Sequence, residues 1–334
     1  MFPISLGPTY VPAEALAALC GCSCPSPRRL ARLEPGTVLF CDRNPLLPGL
    51  GFCDPHARLA PDGRLLIYAT HDASPTNTDY TMNDWWVWST RDLAHWTFEG
   101  ALRPEQTAIG ALSSSCWATD ALLTAGGTWW YLSDGPRRIR VMHGASPTGP
   151  WRDGSRRPLV AESDLAGQSR DPAVFADQDG SEWLLFGTWD FYLGRLGSDR
   201  VSFTEPPRRI EIVNPQGPYG PGRTDDKPFL HYRAGWYYLT WGCFSARSHS
   251  LLGPYDCDGP FFDPALAEAS FARVKEFRLD RHGSFFDFDG RHYFIANDFS
   301  RTGASPFFRD SVIVPIEYRT DGVIAPAAVR TSWR

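Results

Sequence analysis

Five ionisable residues recur along the chain at nearly the same distance before a glycine, and each can take part in acid–base chemistry. They are Asp54, Asp120, Asp171, Asp226 and His282. The glycines that follow them are Gly63, Gly127, Gly180, Gly235 and Gly290. The separations are 9, 7, 9, 9 and 8 residues. One Asp before a turn is a common turn signal, but five such groups in phase predict one shared position in a repeated fold.

The segments around these glycines predict the repeated fold. Each glycine precedes an apolar, aromatic-rich strand, as in DGRLLIYATHD and DGSEWLLFGTWD, and intervals of 64, 53, 55 and 55 residues separate the glycines. Several short strands per repeat, with almost no helical periodicity, are typical of propeller blades. We therefore predict an all-β, five-bladed β-propeller. Its innermost strands start at one end of the central tunnel, where the five ionisable groups should form a ring.

The domain organisation follows from the first repeat. Residues 1–40 precede the blades and contain the one helix that the sequence predicts, Ala13 to Leu19, so we expect a decorating segment there. The interior has no linker-like stretch, and residues 41–334 are predicted to form a single domain, with a terminal strand available to complete the last blade.

A ring of carboxylates suggests glycoside hydrolysis. Carboxylates held close together raise one another's pKa and destabilise the fold. A protein that brings several of them together is therefore expected to use them in its function. In glycoside hydrolysis one carboxylate activates water, a second acid protonates the leaving oxygen, and a third group tunes the pKa of that acid.

The motifs that carry these residues resemble glycoside hydrolase family 43, a five-bladed propeller family that acts on arabinans and xylans. The resemblance runs from about Asn44 to the C-terminus. It rests on four segments that occur in order along the blades: NPLLPGLGFCDPHARL, WATDALL, RDPAVFADQDG and RHGSFF.

The resemblance implies a role for each carboxylate. It assigns the general base to Asp54 and the pKa modulator to Asp171, and it places Trp117 and Asp120 in the site wall. The family's fourth-blade motif supplies the general acid as a Glu followed by Gly. Here that segment reads DDKPFL, so Asp226 takes the acid position and Lys227 replaces the Gly.

This departure leaves the proton donor open. Asp is one methylene shorter than Glu, and Lys227 would lower the pKa of a group that must stay protonated. Asp225 is an alternative donor. Three functions follow: an inverting glycosidase for α-L-arabinofuranosyl or β-D-xylosyl units, a sugar-binding propeller that lost its acid, and a retaining fructan- or sucrose-acting enzyme. The third is disfavoured because Asp54 lacks a surrounding Asn-Asp-Pro-Asn segment.

Further residues are expected around the carboxylates. His56, His71 and Asp72 are predicted to contact sugar hydroxyls, and the resemblance places Arg309 at the funnel. It also places His282 where relatives carry a central His, sometimes near Ca²⁺ or another cation. The reaction itself requires no cofactor.

Composition excludes several classes of protein. Lys and Arg number 33 against 38 Asp and Glu, a net charge of -5, so we expect an oligosaccharide substrate and neither a nucleic-acid nor a membrane partner. The N-terminus lacks the features of a signal peptide, which predicts a cytoplasmic protein. The eight cysteines show no zinc-site spacing and are interpreted as free thiols.

Overall fold

The strands form five small sheets around one axis, which confirms the predicted all-β, five-bladed β-propeller. The structure is a computed structural model, and it describes residues 3–22, 30–110, 113–136, 138–161, 169–272, 281–300 and 305–334. Cys24 lies outside the described residues. No helix in these ranges is both long enough and apolar enough to cross a membrane.

The N-terminal segment contains the predicted helix. Strand β1 (Thr9–Pro12) leads directly into helix α1 (Ala13–Leu19) and pairs antiparallel with β2 (Leu30–Leu33). Ala15, Leu16 and Leu19 of α1 pack against the apolar core next to the first blade. Packing of one apolar helix face, and not helix propensity alone, fixes so short a helix.

The first blade takes its outermost strand from residues before position 41. Its strands are β3 (Val38–Phe40), β4 (Phe52–Leu59), β5 (Leu65–Asp72), β6 (Met82–Thr90) and β7 (His95–Leu102). From the axis outward the order is β4, β5, β6, β7, β3, and β3 pairs antiparallel with β7. The predicted boundary at residue 40 therefore separates β3 from the other strands of its sheet, although β3 forms the backbone hydrogen bonds along the outer edge of β7.

The second and third blades follow the same up-and-down order. The second blade contains β8 (Cys116–Thr124), β9 (Gly127–Asp134), β10 (Arg138–Gly144), β11 (Trp151–Asp153) and β12 (Val160–Ala161). The third contains β13 (Ala173–Ala176), β14 (Glu182–Phe186), β15 (Tyr192–Arg195) and β16 (Arg208–Arg209). A 3₁₀ turn at Pro104–Gln106 links the first blade to the second.

The fourth and fifth blades complete the ring. The fourth contains β17 (Ile212–Val213), β20 (Pro228–Arg233), β21 (Trp236–Trp241), β22 (Phe244–Ser248) and β23 (Tyr255–Pro260), with a small hairpin of β18 (Gln216–Gly217) and β19 (Gly220–Pro221) before β20. The fifth contains β24 (Gly283–Phe288), β25 (Arg291–Asp298) and β26 (Asp310–Ile316). A 3₁₀ turn (Pro264–Leu266) and helix α2 (Ala269–Ala272) lie between them.

The innermost strands β4, β8, β13, β20 and β24 contact one another in turn, and β24 contacts β4, so the ring is closed. Residues before the first blade join this closure. Leu46 forms a bridge with Ser311 on β26, and the Asn44 side chain exchanges two hydrogen bonds with the backbone of Ile313, each 2.8 Å long. The N-terminal side of the chain therefore covers the open edge of the fifth blade.

The apolar core lies between neighbouring blades, as expected for packed β-sheets. Trp85, Trp86 and Trp88 of the DWWVWS segment are fully buried there. The described cysteines form no disulfides; Cys41, Cys53, Cys116 and Cys243 are buried, Cys257 is half-buried, and Cys20 and Cys22 are exposed.

Candidate active site

Asp54 lies near the start of β4, at an irregularity where the pairing with β5 shifts between Cys53 and His56. Its φ of +48° and the φ of +56° at Asp171 are in the left-handed region, which few non-glycine residues adopt. Such conformations persist where surrounding contacts enforce them, often at functional sites. The two residues thus share one backbone conformation at equivalent positions of the first and third blades.

Two side chains from the fifth blade hold the carboxylate of Asp54. Arg309 donates from Nη1 to Oδ1 at 2.9 Å and from Nη2 to Oδ2 at 3.0 Å, and it is almost fully buried. Asn297 donates from Nδ2 to Oδ1 at 2.6 Å and accepts a hydrogen bond from the Asp54 backbone N at 2.6 Å. Both oxygens of Asp54 therefore accept charged or amide donors, which favours the ionised form.

Asp226 lies between two cations. Lys227 Nζ is 2.9 Å from its Oδ1, and Arg170 Nη2 donates to its Oδ2 at 3.0 Å. Lys227 Nζ also approaches Asp225 Oδ2, at 3.6 Å. The residue that replaces the family's Gly thus contacts both candidate acids of the DDKPFL segment.

Asp171 is less constrained than its neighbours. Its Oδ2 accepts a hydrogen bond from the Lys227 backbone N at 3.2 Å, and Arg170 Nε lies 3.8 Å from the same oxygen. Its own backbone N donates to Ser133 Oγ at 2.9 Å, which fixes the main chain. No hydrogen bond from a described residue reaches Oδ1.

These contacts separate the pKa values of three carboxyl groups, of which Asp54 and Asp171 are buried and Asp226 is half-buried. Burial alone would raise the pKa of Asp54, but the charge of Arg309, together with the hydrogen bond from Asn297, outweighs burial and lowers the pKa below its usual value. Asp226 behaves similarly, since Lys227 and Arg170 outweigh burial and lower its pKa. Burial, reinforced by the charge of Asp226, raises the pKa of Asp171 to about 7. Neighbouring carboxyl groups whose pKa values are shifted in opposite directions are typical of sites of acid–base catalysis.

The three carboxylates line one cavity of about 90 Å³ at the tunnel end where the innermost strands start. Its other lining residues are Tyr80, Met82, Trp117, Ala118, Arg170, Lys227, His282 and Arg309. The guanidinium of Arg170 lies 5.2 Å from the Trp117 ring centre, and that of Arg309 lies 5.1 Å from the Tyr80 ring centre. Aromatic rings and cations thus form the rim of the cavity.

Asp120 does not line this cavity. It precedes its glycine by seven residues and not nine, and the residue nine positions before Gly127 is Ala118, which does line the cavity. The pairing of β8 with β9 is irregular between Trp117 and Thr119, so Ala118 lies at this irregularity and Asp120 lies beyond it. Asp120 therefore faces the axis one step deeper, fully buried, so the predicted substrate contact is replaced by an ion pair with Arg58 through Oδ1 at 2.8 Å and through Oδ2.

A chain of imidazoles joins this deeper carboxylate to the site. His282 Nδ1 lies 3.4 Å from Asp54 Oδ1, its Nε2 lies 3.2 Å from His56 Nε2, and His56 Nδ1 lies 3.2 Å from Asp120 Oδ2. Burial, opposed by Asp54, lowers the pKa of His282 to about 3, so this ring is neutral. His282 therefore contacts Asp54 and lines the cavity, whereas His56 is fully buried and does not line it, so the predicted sugar contact of His56 does not fit this placement.

His71 and Asp72 form a layer behind the cavity. His71 Nδ1 lies 2.8 Å from Asp84 Oδ1, and its ring stacks on Trp86 at 4.1 Å between centres. Asp72 is fully buried and accepts hydrogen bonds from Arg309 Nε and Nη2, both at 2.9 Å. The predicted sugar contacts of these two residues do not fit this placement, because both are buried and neither lines the cavity; Asp72 instead orients Arg309.

The contacts of His282 do not suit direct binding of a metal. Both ring nitrogens already face protein groups, and within the described ranges no cluster of three or more His, Cys, Asp or Glu is arranged to hold a metal ion. Calcium prefers six to eight oxygen ligands. We therefore derive no step through a cation.

Sequence reasoning missed Arg170, Asn297 and Tyr80. Arg170 directly precedes Asp171 in RDPAVF, and Asn297 ends β25 in FIANDF, so their proximity to a predicted site residue or a strand end was a usable signal. Tyr80 lies in the segment before β6, where sequence alone gives no register. Tertiary packing brings it to the rim.

A β-propeller with several carboxyl groups at one end of its tunnel, whose pKa values differ widely, has the arrangement expected of a glycosidase. Comparison with known proteins agrees. The family described as glycosyl hydrolases family 43 matches residues 43–324. A xylosidase/arabinosidase of Bacteroides ovatus is 23% identical over 84% of this chain and 95% of its own length.

Solved structures show the same fold. A β-xylosidase/α-arabinofuranosidase from a compost microbial metagenome, in complex with xylotriose, has a TM-score of 0.69 and 24% identity over 87% of this chain and 99% of its own. A Xanthomonas citri enzyme complexed with xylotriose has a TM-score of 0.66 and 25% identity over 83% of this chain and 91% of its own. The chain belongs to glycosyl hydrolases family 43 and is a glycosidase.

Proposed function

We propose that the protein releases terminal α-L-arabinofuranosyl or β-D-xylosyl units from oligosaccharides, with inversion at the anomeric carbon. One observation carries this proposal: Asp54, Asp171 and Asp226, from three different blades, line the same small cavity. Hydrolysis by inversion needs an ionised base and a protonated acid on opposite sides of the anomeric carbon.

Asp54 is the proposed base. Arg309 and Asn297 keep its carboxylate ionised and fix its direction, and only an ionised carboxylate can take a proton from water. His282 behind it and Asp72 beyond Arg309 hold this pair in place. The two proton transfers need no cofactor, because carboxyl groups carry them.

The size of the cavity supports a short substrate. About 90 Å³ below an aromatic rim suits one terminal sugar unit better than a continuous polysaccharide chain. The substrate class is supported by the name of the Bacteroides ovatus relative and by xylotriose in the Xanthomonas citri complex.

The resemblance assigns the proton donor to Asp226 and the tuning role to Asp171. Both residues line the cavity, whereas Asp225, the alternative donor, does not. The backbone carbonyl of Asp225 accepts a hydrogen bond from Trp189 N at 2.9 Å, which ties this residue to the third blade.

The test is hydrolysis of 4-nitrophenyl α-L-arabinofuranoside, 4-nitrophenyl β-D-xylopyranoside, arabinobiose and xylobiose by the full chain. We expect turnover of at least one aryl glycoside and the matching disaccharide, with Asp54→Asn as the inactive control. Binding of the sugars by calorimetry without turnover would overturn the proposal in favour of a sugar-binding propeller.

A further inference from the structure

We infer that Asp171, and not Asp226, gives its proton to the leaving oxygen, so that the third- and fourth-blade carboxylates have exchanged the roles that the family resemblance assigns. The inference rests on the proposed glycosidase function. It follows from the two cations that contact Asp226, which are Lys227 and Arg170.

Each carboxylate oxygen of Asp226 lies within 3.0 Å of a cationic nitrogen. Lys227 Nζ lies 2.9 Å from Oδ1 and Arg170 Nη2 lies 3.0 Å from Oδ2, in a site where the Lys227 side chain is only 13% exposed. Protonation of Asp226 would leave two cations near a neutral group in a poorly solvated cavity. Charge pairs of this kind hold a carboxyl group ionised, and an ionised carboxylate has no proton to donate.

Asp171 has the opposite surroundings. Its side chain is 6% exposed, one backbone N–H reaches Oδ2, and the nearest cationic atom, Arg170 Nε, is 3.8 Å away. Among the described residues no donor contacts Oδ1, although the residue lines the cavity. A buried carboxyl group with one oxygen free of donors favours the neutral acid, because that oxygen can carry the proton.

Charged groups around Asp171 reinforce this difference. Asp226 and Asp54 face it from the fourth and first blades and raise its pKa, whereas Arg170 and Lys227 lower it; burial is the largest effect, and the pKa is raised to about 7. The ionised Asp226 is therefore the strongest single charge that keeps Asp171 protonated. In this arrangement Asp226 tunes and Asp171 donates.

The reaction step balances with these roles. Asp54 takes a proton from water while the water oxygen forms a bond to the anomeric carbon. The bond from that carbon to the leaving oxygen breaks, and the oxygen takes the proton of Asp171. Asp54 then loses its proton to solvent and Asp171 regains one, so that the net change is addition of water across the glycosidic bond.

The experiment uses leaving groups of different acidity. A nitrophenolate leaves with little protonation, whereas a sugar alkoxide needs a full proton donor. We expect Asp171→Asn to lower kcat on the disaccharide by about 10²- to 10⁴-fold and on the matching nitrophenyl glycoside by much less. We expect Asp226→Asn to lower kcat on both substrates by a similar factor.

A pH profile gives an independent readout. Removal of the Asp226 charge lowers the pKa of Asp171, so the basic limb of kcat/KM in Asp226→Asn should move to lower pH. Asp190→Asn, which removes an exposed third-blade carboxylate paired with Arg209, is the matched control and should leave that limb in place. If Asp171→Asn fails to fold, the position of the basic limb of kcat/KM in Asp226→Asn still tests whether Asp171 is the proton donor.

A leaving-group-dependent loss in Asp226→Asn and not in Asp171→Asn would overturn the exchange of roles, as would an unmoved basic limb in Asp226→Asn. Absence of turnover by the unmodified protein on every substrate would instead overturn the proposed function. The two failures are therefore distinguishable.

Discussion

Arg309 holds both carboxylate oxygens of Asp54, at 2.9 and 3.0 Å, and reaches across to Asp72 with the same guanidinium. The three residues come from the first and last blades, so closure of the ring assembles the base. The planar fork of Arg allows a bidentate contact with Asp54 while the same guanidinium also donates to Asp72.

We predict that Arg309→Lys lowers kcat, by about 10-fold or more, while retaining the charge. Lys cannot form the bidentate contact, so the pKa of Asp54 rises toward its ordinary value and the acidic limb of kcat/KM moves to higher pH. Arg309→Gln should move the limb further, with thermal unfolding measured alongside. An acidic limb unchanged in both variants would exclude Asp54 as the group that titrates there.

Asp54→Asn should lower kcat by about 10²- to 10⁴-fold, because the amide cannot take a proton from water. The amide can still accept a hydrogen bond from Arg309, so sugar binding measured by calorimetry should persist. Turnover close to that of the unmodified protein would remove Asp54 from the mechanism.

Proton NMR during hydrolysis should show the anomer opposite to that of the substrate as the first product. Inversion requires room for water between the base and the anomeric carbon, so the base and acid carboxyl groups should lie roughly 6.5 to 9.5 Å apart in a sugar complex, and not about 5 Å. Retention of configuration would contradict the assignment of Asp54 as a base and indicate a nucleophile.

Arg58→Met should destabilise the protein by about 3–5 kcal/mol at neutral pH, because it removes the guanidinium that pairs with the fully buried Asp120 carboxylate. Burial would raise the pKa of Asp120, but Arg58 and His56 hold it at about 2. Since the folded pKa is depressed, the stabilisation is present above about pH 4 and is lost as pH falls towards 2.

Urea unfolding at several pH values checks this prediction. The difference between the unmodified protein and Arg58→Met should shrink below pH 4. The control is Arg319→Met, which removes an exposed ion pair with Asp321 and should cost less than about 1 kcal/mol. Equal effects of the two variants would show that Asp120 does not depend on Arg58.

Sequence periodicity was enough to predict the blades, because each blade repeats a glycine-containing turn followed by an apolar strand, and both are recognisable from residue types alone. It also predicted that Asp54, Asp171 and Asp226 meet at one axial mouth, and the structure places all three on the same cavity wall. It was wrong about the depth of Asp120, because this residue lies two positions beyond the cavity-lining Ala118, past an irregularity in β8.

The sequence by itself determined the five-bladed architecture, the family and the carboxylates of the site, since these depend on residue types at regular spacing. Tertiary structure alone decided which carboxylate stays ionised. Asp54 gains Arg309 and Asn297 from the last blade and Asp226 gains Arg170 from the third, whereas the nearest cationic atom to Asp171, Arg170 Nε, is 3.8 Å away. A pKa depends on charges and burial within a few ångströms, and ring closure brings residues as far apart as 54 and 309 within that range.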